Sequence, residues 1–205
     1  AGLILTLDDY VATQVMTTAQ QQAILKAIDA RWNVLISGGT GTGKTTLANA
    51  VLAAVADRWP DQRTVILQDT YELQTKANNV VFLRTSDTTD MTRLLRATMR
   101  LRPDRIVVGE VRDGSALALL KAWNTGHPGG VGTVHANSAK AALVRIEQLI
   151  QEVVMNLQPQ LIAEAVNVVV SIQADASRQT GRRVDEVIRV LGWIPQSGYS
   201  VETLG

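Results

Sequence analysis

The strongest chemical signal in the chain is the run Ser37-Gly38-Gly39-Thr40-Gly41-Thr42-Gly43-Lys44-Thr45-Thr46. Gly38, Gly43, Lys44 and Thr45 fall at the fixed positions of the phosphate-binding pattern G-x-x-x-x-G-K-[ST]. Glycines let the backbone curl tightly and aim its N–H groups at an anion. Lys44 is spaced to reach the β- and γ-phosphates of a nucleotide, and the Thr45 hydroxyl to ligate Mg²⁺. Gly39, Thr40, Gly41, Thr42 and Thr46 complete the candidate cradle. Val34-Leu35-Ile36 before it reads as a buried strand, and Thr46 to Ala56 after it as a helix. The positive end of that helix would also face the phosphates.

Phosphate positioning alone does not hydrolyse ATP. The reaction also needs a metal ion, an in-line water and positive charge for the transition state. Glu110 follows the apolar run Arg105-Ile106-Val107-Val108 and is the first candidate to polarise the water. Asp69 and Glu72 follow the run Thr64–Gln68 and are candidates for metal-shell or water contacts. His135 ends a short apolar run between two glycine-bearing loops, where it can hydrogen-bond a γ-phosphate and report its loss. Arginines at 84, 93, 96, 100, 102, 105 and 112 supply cations, and Arg112 stands out because it lies just past Glu110. An arginine of one subunit can also complete a neighbour's site.

These groups need a scaffold. Leu3, Leu5 and Leu7 alternate like a short strand, Asp8–Met16 reads as a short helix, and Thr17 to about Arg31 as an amphipathic one. In many phosphate-loop enzymes the segment just before the core packs on the adenine base; that role and plain packing both stand open here. Strands are expected at Val34–Ser37, Thr64–Gln68, Val80–Leu83, Arg105–Val108 and Val131–His135. Helices are expected at 90–102, with Arg93, Arg96 and Arg100 on one face, at Ser115–Asn124, and after an N-cap at Ser138, with Leu143, Ile146, Leu149, Ile150 and Val153 inward. Val166–Ile172, Val184–Trp193 and Tyr199–Leu204, joined by polar turns, read as an antiparallel meander at a sheet edge. Alternating strands and helices predict an α/β fold with a mainly parallel sheet flanked by helices, whose ligands gather at the carboxyl ends of the strands. Residues 1–31 form a leading helical segment and 32–205 the core, with the C-terminal meander at 173–205.

The chain has 205 residues, 46% of them apolar, enough for one domain with a real core. With 20 basic and 19 acidic residues it has no global basic field, so direct sequence-specific nucleic-acid binding is not expected. It has no cysteine and two histidines, which argues against disulfides and structural zinc. No apolar run approaches the roughly 18 residues of a membrane span. The start is too short for a signal peptide and meets Asp8-Asp9 at once, so a cytoplasmic protein is expected. It begins at Ala1 rather than Met, as a piece of a longer protein would.

Four boxes occur in one order: Gly38–Thr45; Gln68-Asp69-Thr70-Tyr71-Glu72; Val108-Gly109-Glu110-Val111-Arg112; and Gly126 to Asn137. They resemble the Walker A loop, aspartate box, Walker B segment and histidine box of the type II and type IV secretion ATPases. The run Leu120–Gly130 is especially similar to the conjugal-transfer branch of that family. The resemblance spans roughly Leu5 to Trp193. It implies a RecA-like P-loop NTPase core, an ATP–Mg²⁺ site between subunits, and a homo-hexameric ring. The ring would sit at the cytoplasmic face of the bacterial inner membrane, against the channel proteins of a conjugative type IV secretion system, driving pilus assembly or DNA/protein transfer. It carries Lys44 and Thr45 to phosphate and metal, Glu110 to catalysis, Glu72 to the aspartate box and His135 to nucleotide sensing.

Two departures qualify the match. Many members carry Glu where this chain has Gln68; an amide is not a base, which shifts the load toward Glu110. Members also carry an N-terminal domain that supplies arginines to the nucleotide, and this chain is too short to contain it. Two other functions remain open: a nucleotide-binding assembly switch without turnover, and a helicase-like nucleic-acid motor stimulated by single strands.

Overall fold

Runs of Val, Ile and Leu become strands here wherever glycine, proline or polar residues stop them, and the longer alanine- and leucine-rich runs become helices. The computed structural model describes residues 4–205. In chain order its elements are α1 (Leu7–Ala12), α2 (Thr18–Asp29), β1 (Val34–Gly38), α3 (Lys44–Arg58), β2 (Thr64–Gln68), β3 (Val80–Arg84), α4 (Met91–Thr98) and β4 (Arg105–Val111), then α5 (Ala116–Asn124), β5 (Val131–His135), α6 (Ala139–Gln151), α7 (Pro159–Ala165), β6 (Val168–Ala174), β7 (Arg182–Ile194) and β8 (Gly198–Thr203).

The strands form one eight-stranded sheet in the order β3-β2-β4-β5-β1-β6-β7-β8. All pairs from β3 through β6 are parallel. The β6–β7 and β7–β8 pairs are antiparallel, so the expected C-terminal meander caps one edge. Side chains alternate across the sheet with the strand period of two. Leu35, Val65, Leu67, Ile106, Val108 and Val169 face a core built with α4, α5, α6 and α7. Val34, Ile36, Ile66, Val107, Val168 and Val170 face a second core built with α1, α2 and α3.

Several expectations need correcting. The strand read from Leu3, Leu5 and Leu7 falls partly on residues 1–3, outside the described residues; residues 4–6 form no strand, and Leu7 opens α1. The cause is a capping box, in which the Thr6 hydroxyl accepts from Asp9 N and the Asp9 carboxylate accepts from Thr6 N at 2.7 Å. The helix expected over 90–102 stays α-helical only to Thr98 and tightens into a 3₁₀ turn over Met99–Leu101. Val153 is not inward: α6 ends at Gln151 and Val153 is 59% exposed. Helix α7 was not anticipated. Seven residues, opened by Pro159, are too few for a periodic pattern to stand out. Strand β4 does not stop at Val108 but runs on to Val111 through a register shift that places Gly109 and Glu110 in an irregular stretch.

The glycine-rich loop Gly126–Gly130 lies at the amino end of β5, the edge opposite the phosphate loop. His127 Nδ1 lies 2.9 Å from the Pro103 carbonyl, and Arg105 Nη1 donates to the Gly129 carbonyl at 2.8 Å. Buried Asn33 ties this edge together. Its amide donates to Ala165 O at 2.7 Å and accepts from Gly130 N at 2.9 Å. The approach is close: a Cβ on Gly130 would stand 2.5 Å from Ile106 O and 2.6 Å from Trp123 Cε2. Backbone and a buried indole cannot give way easily. Gly130→Ala is therefore expected to lower stability by about 1–3 kcal/mol in urea unfolding, leaving the strand-end groups at the other edge unchanged.

Candidate nucleotide-binding site

The carboxyl ends of β1, β2 and β4 lie at one edge of the parallel sheet. Each delivers a different kind of group. From β1 comes the loop 38–43, which leads straight into α3. Gly41 and Gly43 have φ of 75° and 97°, left-handed values that glycine adopts freely. The Thr42 hydroxyl, buried, donates to Gly39 O at 2.9 Å and closes the loop from within. Lys44 folds back over it: Nζ donates to Gly38 O at 3.0 Å and Gly39 O at 2.9 Å. Burial holds the Lys44 ammonium below the usual lysine range, and the Glu110 carboxylate opposes that shift.

From β2 comes the segment 69–74. Gln68, 2% exposed, anchors it: its Oε1 accepts from both Glu72 N and Leu73 N at 3.0 Å. Asn49 on α3 anchors it a second time, donating to Glu72 O at 3.2 Å and accepting from Gln74 N at 2.8 Å. These bonds aim the Glu72 carboxylate at the loop. Oε2 accepts from the Thr45 hydroxyl at 3.1 Å and Oε1 from the Thr70 hydroxyl at 2.9 Å. Asp69 points to the neighbouring strand, accepting from the Thr85 hydroxyl at 2.8 Å and lying 3.5 Å from Arg112 Nη1.

From β4 comes Glu110, turned toward the same space by the irregular stretch. Its Oε2 is 2.5 Å from Arg112 Nε. That bond to Glu110 raises the Arg112 pKa above its ordinary value. Thr133 on β5 braces the stretch by donating to Gly109 O at 2.6 Å.

The three segments surround one cavity of about 400 Å³. Of the residues singled out in the sequence, Thr40, Gly41, Lys44, Thr45, Asp69, Glu72, Glu110 and Arg112 line it. Gly38, Gly39, Thr42, Gly43 and Thr46 shape the loop and the first turn of α3. His135 is the exception: exposed at the end of β5, it pairs in register with Gly38 but does not line the cavity. Asn49 and Thr133 had no assigned place. Gln68 had been read as a lost base, whereas the structure shows it holding the backbone. Asn49 carried a signal, being the one amide within the apolar stretch Leu47–Ala56. The hydroxyl of Thr45 beside the carboxylate of Glu72 is a hard oxygen pair of the kind Mg²⁺ accepts together with phosphate oxygens and water.

Comparison with known proteins gives the chain's family and fold. A family model described as type II/IV secretion system protein matches residues 5–186. The conjugal transfer protein TrbB of Rhizobium radiobacter is 59% identical over 193 residues, 94% of this chain and 59% of that protein. A probable conjugal transfer protein TrbB of Sinorhizobium fredii is 57% identical over 190 residues, 93% of this chain and 58% of that protein. The crystal structure of the VirB11 ATPase from the Brucella suis type IV secretion system, in complex with sulphate, superimposes with a TM-score of 0.73 at 25% identity, covering 91% of this chain and 65% of that one. The fold is the RecA-like one expected. The chain spans about 59% of the length of the first of these relatives.

Replacing Gln68 with Leu keeps the size but strands two backbone N–H groups beside the cavity. Gln68→Leu is expected to cost about 2 kcal/mol or more in denaturant unfolding, and to increase hydrogen exchange at Glu72 and Leu73.

Proposed function

The chain belongs to the type II/IV secretion system protein family, and from that premise we propose that it is the Mg²⁺-dependent ATP-hydrolysing part of a conjugative type IV secretion motor. The observation that carries this reading is the convergence of Lys44, Thr45, Glu72 and Glu110, from three strand ends, on one cavity.

In this reading the backbone N–H groups of the loop, from Gly39 through Thr46, cradle the phosphates, and Lys44 exchanges the carbonyls of Gly38 and Gly39 for β- and γ-phosphate oxygens. Thr45 and Glu72 would hold Mg²⁺, with Asp69 beside them. Bound there, the ion would neutralise charge on the phosphate oxygens. Glu110 leaves Arg112 to orient and polarise the attacking water. Arg112, so released, turns its charge to the γ-phosphate. His135, beside Gly38 at the end of β5, senses the γ-phosphate through the loop. The full motor is a homo-hexamer at the cytoplasmic face of the inner membrane, docked on conjugation channel proteins, and its cycle energises pilus assembly or DNA/protein transfer. The resemblance of the four boxes and the similarity to TrbB proteins support that placement.

The tie between Glu110 and Arg112 favours one second reading, a nucleotide-bound assembly switch without turnover. Paired variants separate the two. Lys44→Ala is expected to abolish tight ATP binding in isothermal titration. Glu110→Gln is expected to keep binding within a few-fold of the parent and to lower phosphate release by 10²-fold or more, a general-base loss. ATP affinity unchanged in Lys44→Ala would end the phosphate-loop reading; a parent that binds ATP yet releases no more phosphate than Glu110→Gln would select the switch.

A further inference from the structure

The cavity accounts for one side of the phosphate loop. On the other side lies the C-terminal meander, and it brings a cation. Arg182 is the first residue of β7, and its side chain lies against Gly43, the residue just before α3. A Cβ on Gly43 would overlap Arg182 Nη1 and stand 3.4 Å from its Cζ and 3.5 Å from its Cδ. The guanidinium therefore rests on the backbone of the phosphate loop itself, in the space that a side chain at Gly43 would fill.

Its surroundings do not explain why a cation is held there. Among the described residues Arg182 makes no ion pair, although its neighbours do: Arg178 and Arg183 share Asp175, and Arg183 also bonds Asp185. The polar contact of the Arg182 side chain is one long bond, from Nε to Thr180 O at 3.4 Å. Tyr10 lies within its field, but burial pushes that phenol up to about 12, so it stays neutral and offers no counter-charge. A cation at the amino end of a helix, with Lys44 one residue on, is electrostatically unfavourable unless an anion joins it. A phosphate held by the loop would be that anion.

The sheet order says which part of the nucleotide it meets. Glu72 and Glu110 come from β2 and β4, on one side of β1; β6 and β7 lie on the other side. The scissile γ-phosphate must face the carboxylates. A nucleotide laid across the loop then extends its α-phosphate and nucleoside away from them, toward β7. The turn between α1 and α2 meets the same strand, with Val184 N donating to Val15 O at 2.7 Å, so the nucleoside end has walls.

Resting on the ATP-site reading above, we infer that Arg182 is a nucleotide-positioning residue, whose guanidinium binds the α-phosphate side of the bound nucleotide across Gly43 from Lys44. The C-terminal meander is then a wall of the nucleotide site as well as an edge cover for the sheet. A contact of this kind is made equally in ground and transition states, so it sets affinity and not the chemical step.

The test is isothermal titration of ADP with Mg²⁺ into the parent, Arg182→Ala, Arg182→Lys and, as control, Lys44→Ala, with thermal melting of each protein free of nucleotide. Arg182→Ala is expected to weaken ADP on the order of tenfold or more, as loss of a charged hydrogen bond does, with Arg182→Lys in between. Its nucleotide-free melting temperature is expected to be unchanged or higher, because an unpaired cation leaves a helix amino terminus. Parent-like ADP affinity in Arg182→Ala, with Lys44→Ala deficient, would overturn the role of Arg182 alone. A lowered melting temperature in Arg182→Ala that Arg182→Lys fails to restore would make Arg182 a packing residue and also overturn it. No ADP binding by the parent would instead strike the ATP-site reading on which the inference rests.

Discussion

The parallel register of the central strands is the constraint on which the site depends. Parallel strands end at the same edge, so β1, β2 and β4 deliver their loops together without any of those loops being long. The register Gly38 with His135, and Gln68 with Arg84, marks where that edge runs. Two apolar cores, one on each face, fix the sheet from both sides and leave the edge itself polar. Polar groups concentrated at one edge repel or lose hydration unless they pair. Here they pair locally: ammonium with loop carbonyls, threonine hydroxyl with glutamate, glutamate with arginine. Each pair is one that phosphate oxygens, a metal ion or a water can replace like for like. The edge is therefore stable in itself and still exchangeable.

Rigidity is unevenly divided around the cavity. The phosphate loop is fixed by covalent geometry, by the Thr42–Gly39 bond and by its place between β1 and α3. The 69–74 segment has no regular structure of its own and depends on two amides, Gln68 and Asn49. A glutamate at position 68 could accept the same two N–H groups, so the substitution noted in the sequence alters charge without removing the anchor. Glu110 depends on an irregularity in β4 braced by Thr133. Catalytic geometry in such a site is set by the supports of the carboxylates as much as by the carboxylates themselves.

How much was legible follows from where each signal lives. The phosphate loop was legible because phosphate chemistry dictates residue types at fixed spacing. The buried parallel strands were legible as uninterrupted apolar runs, since both of their faces are covered. Glu72 and Glu110 were legible as carboxylates at strand ends. Three things were not. Helix α7 is too short to repeat its pattern. The capping box at Thr6 and Asp9 was outweighed by an apparent alternation of leucines. Positions set by topology alone were invisible: that the Gly126–Gly130 loop lies at the far edge, that Gln68 turns inward to bond the chain, and that Arg182 crosses from β7 to Gly43. Sequence order carries no trace of these, because they appear only when strands far apart in the chain become neighbours.

The proposed function makes these strand ends an ATP-hydrolysing site shared within an assembly. Phosphate release per subunit, measured with Mg²⁺ over a wide range of protein concentration, tests it most directly. If a neighbouring subunit completes the site, as proposed, the rate per subunit is expected to rise steeply with concentration. A rate per subunit that stays flat would mean that each chain carries a complete site, and no release at any concentration would mean that the strand-end groups do not hydrolyse ATP; either result would contradict the claim.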